Sequence, residues 1–164
     1  MINDRGYANI VSMNTTSAPP NNTHVVYGLV YSLEKEDERR LDLNEGVPVA
    51  YTKEYLECDF WSAGEASAPL DKHKKVNTSE TPSNKRDMLV YIDRNRTAPD
   101  EPRKEYVYRM NQGISDAVKL GVPQEYVDDV MRKYIPKKKA DGDDEVGEFA
   151  SGQAAQFRDE SVGV

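Results

Sequence analysis

The stretch Val26–Tyr51, VYGLVYSLEKEDERRLDLNEGVPVAY, constrains the fold more than any other part of the chain. It begins as an apolar run rich in β-branched and aromatic residues, becomes charged, and then breaks at Gly46 and Pro48. His24–Leu33 therefore predicts a strand buried on both faces, as in a barrel or a covered sheet. Gly28 in its middle predicts a bulge or the close approach of another group. Glu34–Asn44 predicts a short helix whose first turn carries Glu34, Glu36 and Asp37, matching the positive helix N-terminus. Gly46 tolerates the left-handed backbone of a helix stop, and Pro48 forbids continuation. Glu45 is thus placed where a helix ends and the chain turns toward a strand, a position that a scaffold fixes while a turn exposes it.

The remaining elements follow from periodicity. Arg5–Met13 reads as a short strand, followed by a polar loop over Asn14–Thr23. In Thr52–Trp61, Leu56, Cys58 and Phe60 fall on one face and Lys53, Tyr55, Glu57 and Asp59 on the other, which is strand alternation. Ser62–Lys85, with two prolines, reads as a mobile connection, and Asp87–Asp93 as another strand. Lys104–Leu120 has the best helical pattern, with Val107, Met110, Ile114 and Ala117/Val118 recurring at helical spacing. Gly121 stops it, and Pro123 opens a second short helix with Tyr126, Val127, Val130, Met131 and Tyr134 on its apolar side. From Lys137 onward periodicity disappears, so residues 137–164 read as a disordered acidic tail after a domain over 1–136.

Composition excludes several functions. A net charge of −7 over 164 residues argues against a nucleic-acid surface. No apolar run approaches the roughly 18 residues that a membrane helix needs, and the N-terminal segment is too polar for a secretory leader. Cys58 is the lone cysteine, so an internal disulfide cannot form. These points favour the cytoplasm. His24 and His73 are isolated, no metal-ligand spacing is present, and no phosphate loop or nucleophile elbow occurs. No cofactor is expected. Ten tyrosines stand against three phenylalanines, and Tyr27, Tyr31, Tyr51, Tyr55, Tyr91 and Tyr106 lie on or beside expected core elements. They fit either amphipathic core packing or a polar pocket walled by hydroxyls.

Three blocks carry a family resemblance: VYGLVYSL with LDLNEGVPVAY, then MLVYID (Met88–Asp93), then EPRKEYVYRMNQGISDAVKLGVPQEYVDDVMRKYIP (Glu101–Pro136). In order and spacing they resemble the γ-glutamylcyclotransferases, over roughly Ile2 to Pro136. The resemblance implies an α+β fold, a small mixed β-barrel flanked by short helices. It implies cyclisation of a γ-glutamyl amino acid or peptide to 5-oxoproline with release of the amine, without metal or organic cofactor. It also implies Glu45 as catalytic acid/base and Tyr51 and Tyr106 as residues approaching the substrate, with Tyr91 a weaker carry-over. Arg5 or Arg109 is expected to supply positive charge for a zwitterionic ligand.

The chain departs from the family at its start. The Tyr-Gly-Ser-Asn loop whose backbone amides hold the γ-glutamyl group does not occur, and MINDRGYAN corresponds to a segment well inside a usual member. The expectation is a domain lacking its first strand and substrate-cradling loop. The alternative function is therefore a catalytically inactive, cyclotransferase-like binding or scaffold domain. An edge left by a missing strand would also invite pairing with a second copy, so a homodimer is a candidate assembly.

Overall fold

The computed structural model describes residues 1–12, 24–62 and 75–137. In chain order these form helix α1 (Lys35–Glu45), strands β1 (Thr52–Phe60) and β2 (Asn84–Ile92), helix α2 (Lys104–Leu120), helix α3 (Gln124–Asp129) and a 3₁₀ turn at Met131–Lys133. The molecule is a mixed α+β structure built on a two-stranded antiparallel sheet. The expected closed barrel is not formed among the described residues.

α1 ends as its sequence dictates. Gly46 takes the left-handed conformation (φ 65°, ψ 38°), and its N–H closes onto the carbonyls of Asp42 and Leu43. β1 and β2 pair from Thr52↔Ile92 to Phe60↔Asn84, so β2 begins three residues before the expected Asp87. Along β1, Tyr55, Glu57 and Asp59 are exposed while Leu56, Cys58 and Phe60 are half-buried, the alternation expected of a strand with one covered face.

α2 starts and stops at the predicted residues. Its apolar stripe packs into a core of Ile2, Ile114, Val122, Tyr126, Val127 and Ile135, with Val107, Met110, Ala117, Val118, Val130, Met131 and Tyr134 against it. This is the stripe that 3.6-residue periodicity brings to one side. The chain's first residues therefore lock directly onto the C-terminal helices.

Two expected strands require correction. Over Arg5–Ser12 the chain makes only an isolated bridge, Ile2↔Ala8. Asn3-Asp4-Arg5-Gly6 folds instead as a tight turn, with the Gly6 N–H on the Asn3 carbonyl at 2.9 Å. Asn at the first position and Gly at the fourth are favoured turn residues, and Gly6 adopts φ 83°. Met13 lies outside the described residues. The second correction is His24–Leu33, which is neither a strand nor buried: Val26 is 62% and Tyr31 77% exposed. Among the described residues, β1 and β2 pair only with each other. Without a partner strand, β-propensity alone has nothing to pack on. Tyr27 is its inward anchor, with its ring 5.0 Å from Tyr126 and 6.5 Å from Trp61. Among the described residues nothing lies within 4 Å of a Cβ placed at Gly28, so the expected close approach is not seen there.

The connecting residues 63–74 and the tail at 138–164 lie outside the described residues, as do Asn14–Thr23 and His73. Among the described residues no helix is long and apolar enough to cross a membrane.

Candidate functional site

The site is assembled from three parts of the chain: the C-terminus of α1, the turn into β1, and the N-terminal loop docked on α2. The N-terminal loop is held from several sides. The Asp100 N–H donates to the Ile2 carbonyl at 3.0 Å, and the Arg103 N–H to the Gly6 carbonyl at 3.2 Å. The Arg103 guanidinium also donates to the Arg5 carbonyl at 2.7 Å and lies over the Tyr7 ring. Tyr7 meets Tyr106 edge to face at 5.2 Å and donates its hydroxyl to Glu105 at 3.1 Å. Gly6 permits this docking, because a Cβ there would sit 2.6 Å from Arg103 Cγ and 3.0 Å from its backbone nitrogen.

Deeper still, Asp93 fastens the end of β2 to the same loop. Its carboxylate is fully buried and accepts from the backbone N–H groups of Asn95 and Arg96 and from the Arg96 guanidinium. Asn9 exchanges hydrogen bonds with the Asp93 backbone at 2.7 and 3.1 Å. Burial pushes the Asp93 carboxyl up, but the amides of Arg96 and Asn95 and the Arg96 charge outweigh it and hold the carboxyl below its ordinary range.

Within this frame Glu45 is half-buried at the last residue of α1. Burial pushes its carboxyl up, and the charge of Arg5 pulls it partly back. The negative end of the helix acts in the same direction as burial. Tyr51 stands across the turn, its phenol pushed up first by burial and then by Glu45, with Arg5 opposing and Asp93 adding to the rise. Tyr106 carries the cluster onto α2. Its hydroxyl accepts the Ala8 N–H at 3.3 Å, and burial raises its pKa, with a smaller contribution from Tyr51. Glu45, Tyr51 and Tyr106 are thus electrostatic neighbours in series. Of the two arginines, Arg5 is the one that acts on Glu45 and Tyr51. Arg109 lies 5.4 Å over the Tyr106 ring and pairs with Glu105 at 3.3 Å.

Tyr91 is placed differently. Its hydroxyl donates to Asp42 on α1 at 2.7 Å, and burial together with that carboxylate pushes its pKa up to about 12. Lys53 pairs with the same Asp42 at 3.1 Å and also with Glu38. Tyr91 and Lys53 are register partners on the paired strands, so both reach one face of α1. They clamp the helix to the sheet and thereby set where Glu45 stands.

Sequence reasoning missed Asn3, Asn9 and Asp93. Asn3 and Asn9 lie at a predicted strand's margin and middle, and their partners in β2 and beyond are not inferable from spacing. The one local signal was the Asn-Asp-Arg-Gly turn. Among the described residues, no three His, Cys, Asp or Glu side chains gather as metal ligands. Comparison with family models, with curated proteins and with solved structures gives no match.

Proposed function

We propose that the chain is a γ-glutamylcyclotransferase-type domain in which Glu45 moves the protons of an internal ring closure. The observation that carries this is the clustering of a half-buried Glu45, its carboxyl raised by burial, with Tyr51, Tyr106 and the Arg5 charge. The substrate class is a γ-glutamyl amino acid, amine or peptide. Its α-amine attacks its own γ-carbonyl carbon, so nucleophile and electrophile arrive tethered. Going from ammonium to lactam N–H, the attacking nitrogen gives up two protons, and the departing nitrogen gains two to leave as an ammonium group; Glu45 takes each from the first and passes it to the second. A carboxyl closer to neutrality than free glutamate suits both steps. The cycle returns Glu45 to its starting state and consumes no water. Tyr51 and Tyr106 line the same corner and orient the ligand, while Tyr91 acts through α1. A barrel closed by a further strand and a cytoplasmic setting accompany this proposal.

The competing reading is an inactive binding or scaffold domain. The exposed apolar side chains of Val26, Val30 and Tyr31 favour it, because such a run suits a partner. Incubating the purified chain with γ-glutamyl-alanine, γ-glutamyl-lysine and glutathione separates the two. The enzyme reading expects 5-oxoproline from at least one of them. Absence of release from all three, by a folded protein, contradicts it.

A further inference from the structure

Among the described residues, six of the nine large apolar side chains that stand exposed fall between Val25 and Leu33. The segment runs from Val25 to Glu34 without a turn or bend, so alternate side chains stand on opposite sides of it. Tyr27, inward against Tyr126 and Trp61, shares a side with Leu29, Tyr31 and Leu33, and Val26 and Val30 share the other. From Gly28 to Leu33 no backbone N–H or carbonyl bonds a described residue. The run thus has what a sheet edge offers, a free row of donors and acceptors, with apolar side chains on both sides. Its charge says what can lie on it. The chain carries −7, yet no Asp, Glu, Lys or Arg occurs from His24 to Leu33. Two copies meeting along this strip bring no like charges together, and the run is complementary to itself. A two-fold axis at Leu29, the midpoint of His24–Glu34, sets antiparallel copies with Val25 opposite Leu33, Tyr27 opposite Tyr31, and Leu29 opposite Leu29. It also sets His24 opposite Glu34 at both ends, an imidazole facing a carboxylate. Tyr31, 77% exposed in one copy, then lies beside the Tyr27–Trp61 stack of the other, an aromatic cross-strand pair.

We propose that His24–Leu33 is a self-association surface: it pairs antiparallel with the same segment of a second copy, in the register centred on Leu29. The contact is isologous, so it closes at a dimer. Each copy gives the other the partner strand that the run lacks among the described residues. The apolar residues that stand exposed in one copy become the contact face of the dimer. The pairing makes no use of the Glu45 cluster, so it stands or falls apart from the ring-closure reading.

Sedimentation velocity of the wild-type chain over a wide range of concentrations tests this, and the expected result is a reversible dimer. Val30→Asp, which sets a carboxylate on each side of the axis, should remain folded and stay monomeric over the same range. Val49→Asp, at an exposed position outside the run, should dimerise like wild type. A wild type that stays monomeric throughout overturns the proposal, as does dimerisation undiminished in Val30→Asp. The register is read by cross-linking in a Cys58→Ser background. Opposed residues of an antiparallel pair hold their Cα atoms roughly 4.5–5.5 Å apart, inside the range of a disulfide. Mild oxidation is therefore expected to join Leu29→Cys chains covalently. Tyr31 faces Tyr27 in this register, so the cysteines of Tyr31→Cys chains lie out of step and should stay unjoined. Cross-linking absent at position 29, or equal at 31 and 29, overturns this pairing.

Discussion

At the residue scale, the account depends on how burial and one neighbouring cation set the Glu45 carboxyl. Burial raises it and Arg5 lowers it, so neutralising Arg5 removes the opposing influence. Arg5→Gln is expected to move the acid limb of the kcat/KM profile to higher pH. An unmoved or lowered limb would detach Arg5 from Glu45. Tyr106→Phe removes a hydroxyl that accepts from Ala8, and it should raise KM more than it lowers kcat. An unchanged KM would mean that the ring only packs. Asp93 gives a stability prediction of opposite sign to Glu45. Its folded-state carboxyl is held below the ordinary 3.8, so its contribution is complete above that unfolded value and is lost as pH falls through the lowered one. Unfolding midpoints measured from pH 5 downward should fall more steeply for wild type than for Asp93→Asn, which starts less stable at neutral pH. Parallel curves would count against this role.

At the element scale, α1 is held to the sheet by polar clamps rather than by a buried apolar face. None of its residues is buried, while Lys53 and Tyr91 both reach Asp42. α2 is the opposite case: Ile114 is 4% exposed in the core, and Ile114→Ala should cost about 2–5 kcal/mol in chemical unfolding. A cost near zero would mean the helix is not the packing centre described. The contrast explains what could be read from sequence. α2, α3, β1 and β2 declare themselves because their periodicity and their stops are local. The end of α1 is equally legible, since Gly46 and Pro48 follow it directly. His24–Leu33 is misleading because an apolar β-prone run becomes a strand only beside another edge, and among the described residues β1 and β2 pair only with each other. Arg5–Met13 misleads for the reverse reason: a strong turn signal at Asn3–Gly6 captures the chain before a strand can extend.

At the scale of the whole molecule, the N-terminal loop is the keystone. It joins the apolar core through Ile2, β2 through Asn9 and Asp93, and α2 through Gly6, Tyr7 and Ala8. Most of these contacts span more than eighty residues of sequence, which is why the candidate site was only partly legible. Glu45, Tyr51 and Tyr106 could be named from their blocks, but the loop that gathers them could not. Gly6→Ala tests the keystone. Left-handed backbone costs a residue with a Cβ about 1–2 kcal/mol, and the contact with Arg103 adds to it. The variant should unfold earlier than wild type, and any turnover should fall with it. An unchanged midpoint would mean the loop is not fastened as described. The most direct measurement of the central claim compares 5-oxoproline formation from one γ-glutamyl dipeptide by the wild-type chain and by folded Glu45→Gln. The account predicts product with the wild type and none above background with the variant. Equal rates from the two would contradict it.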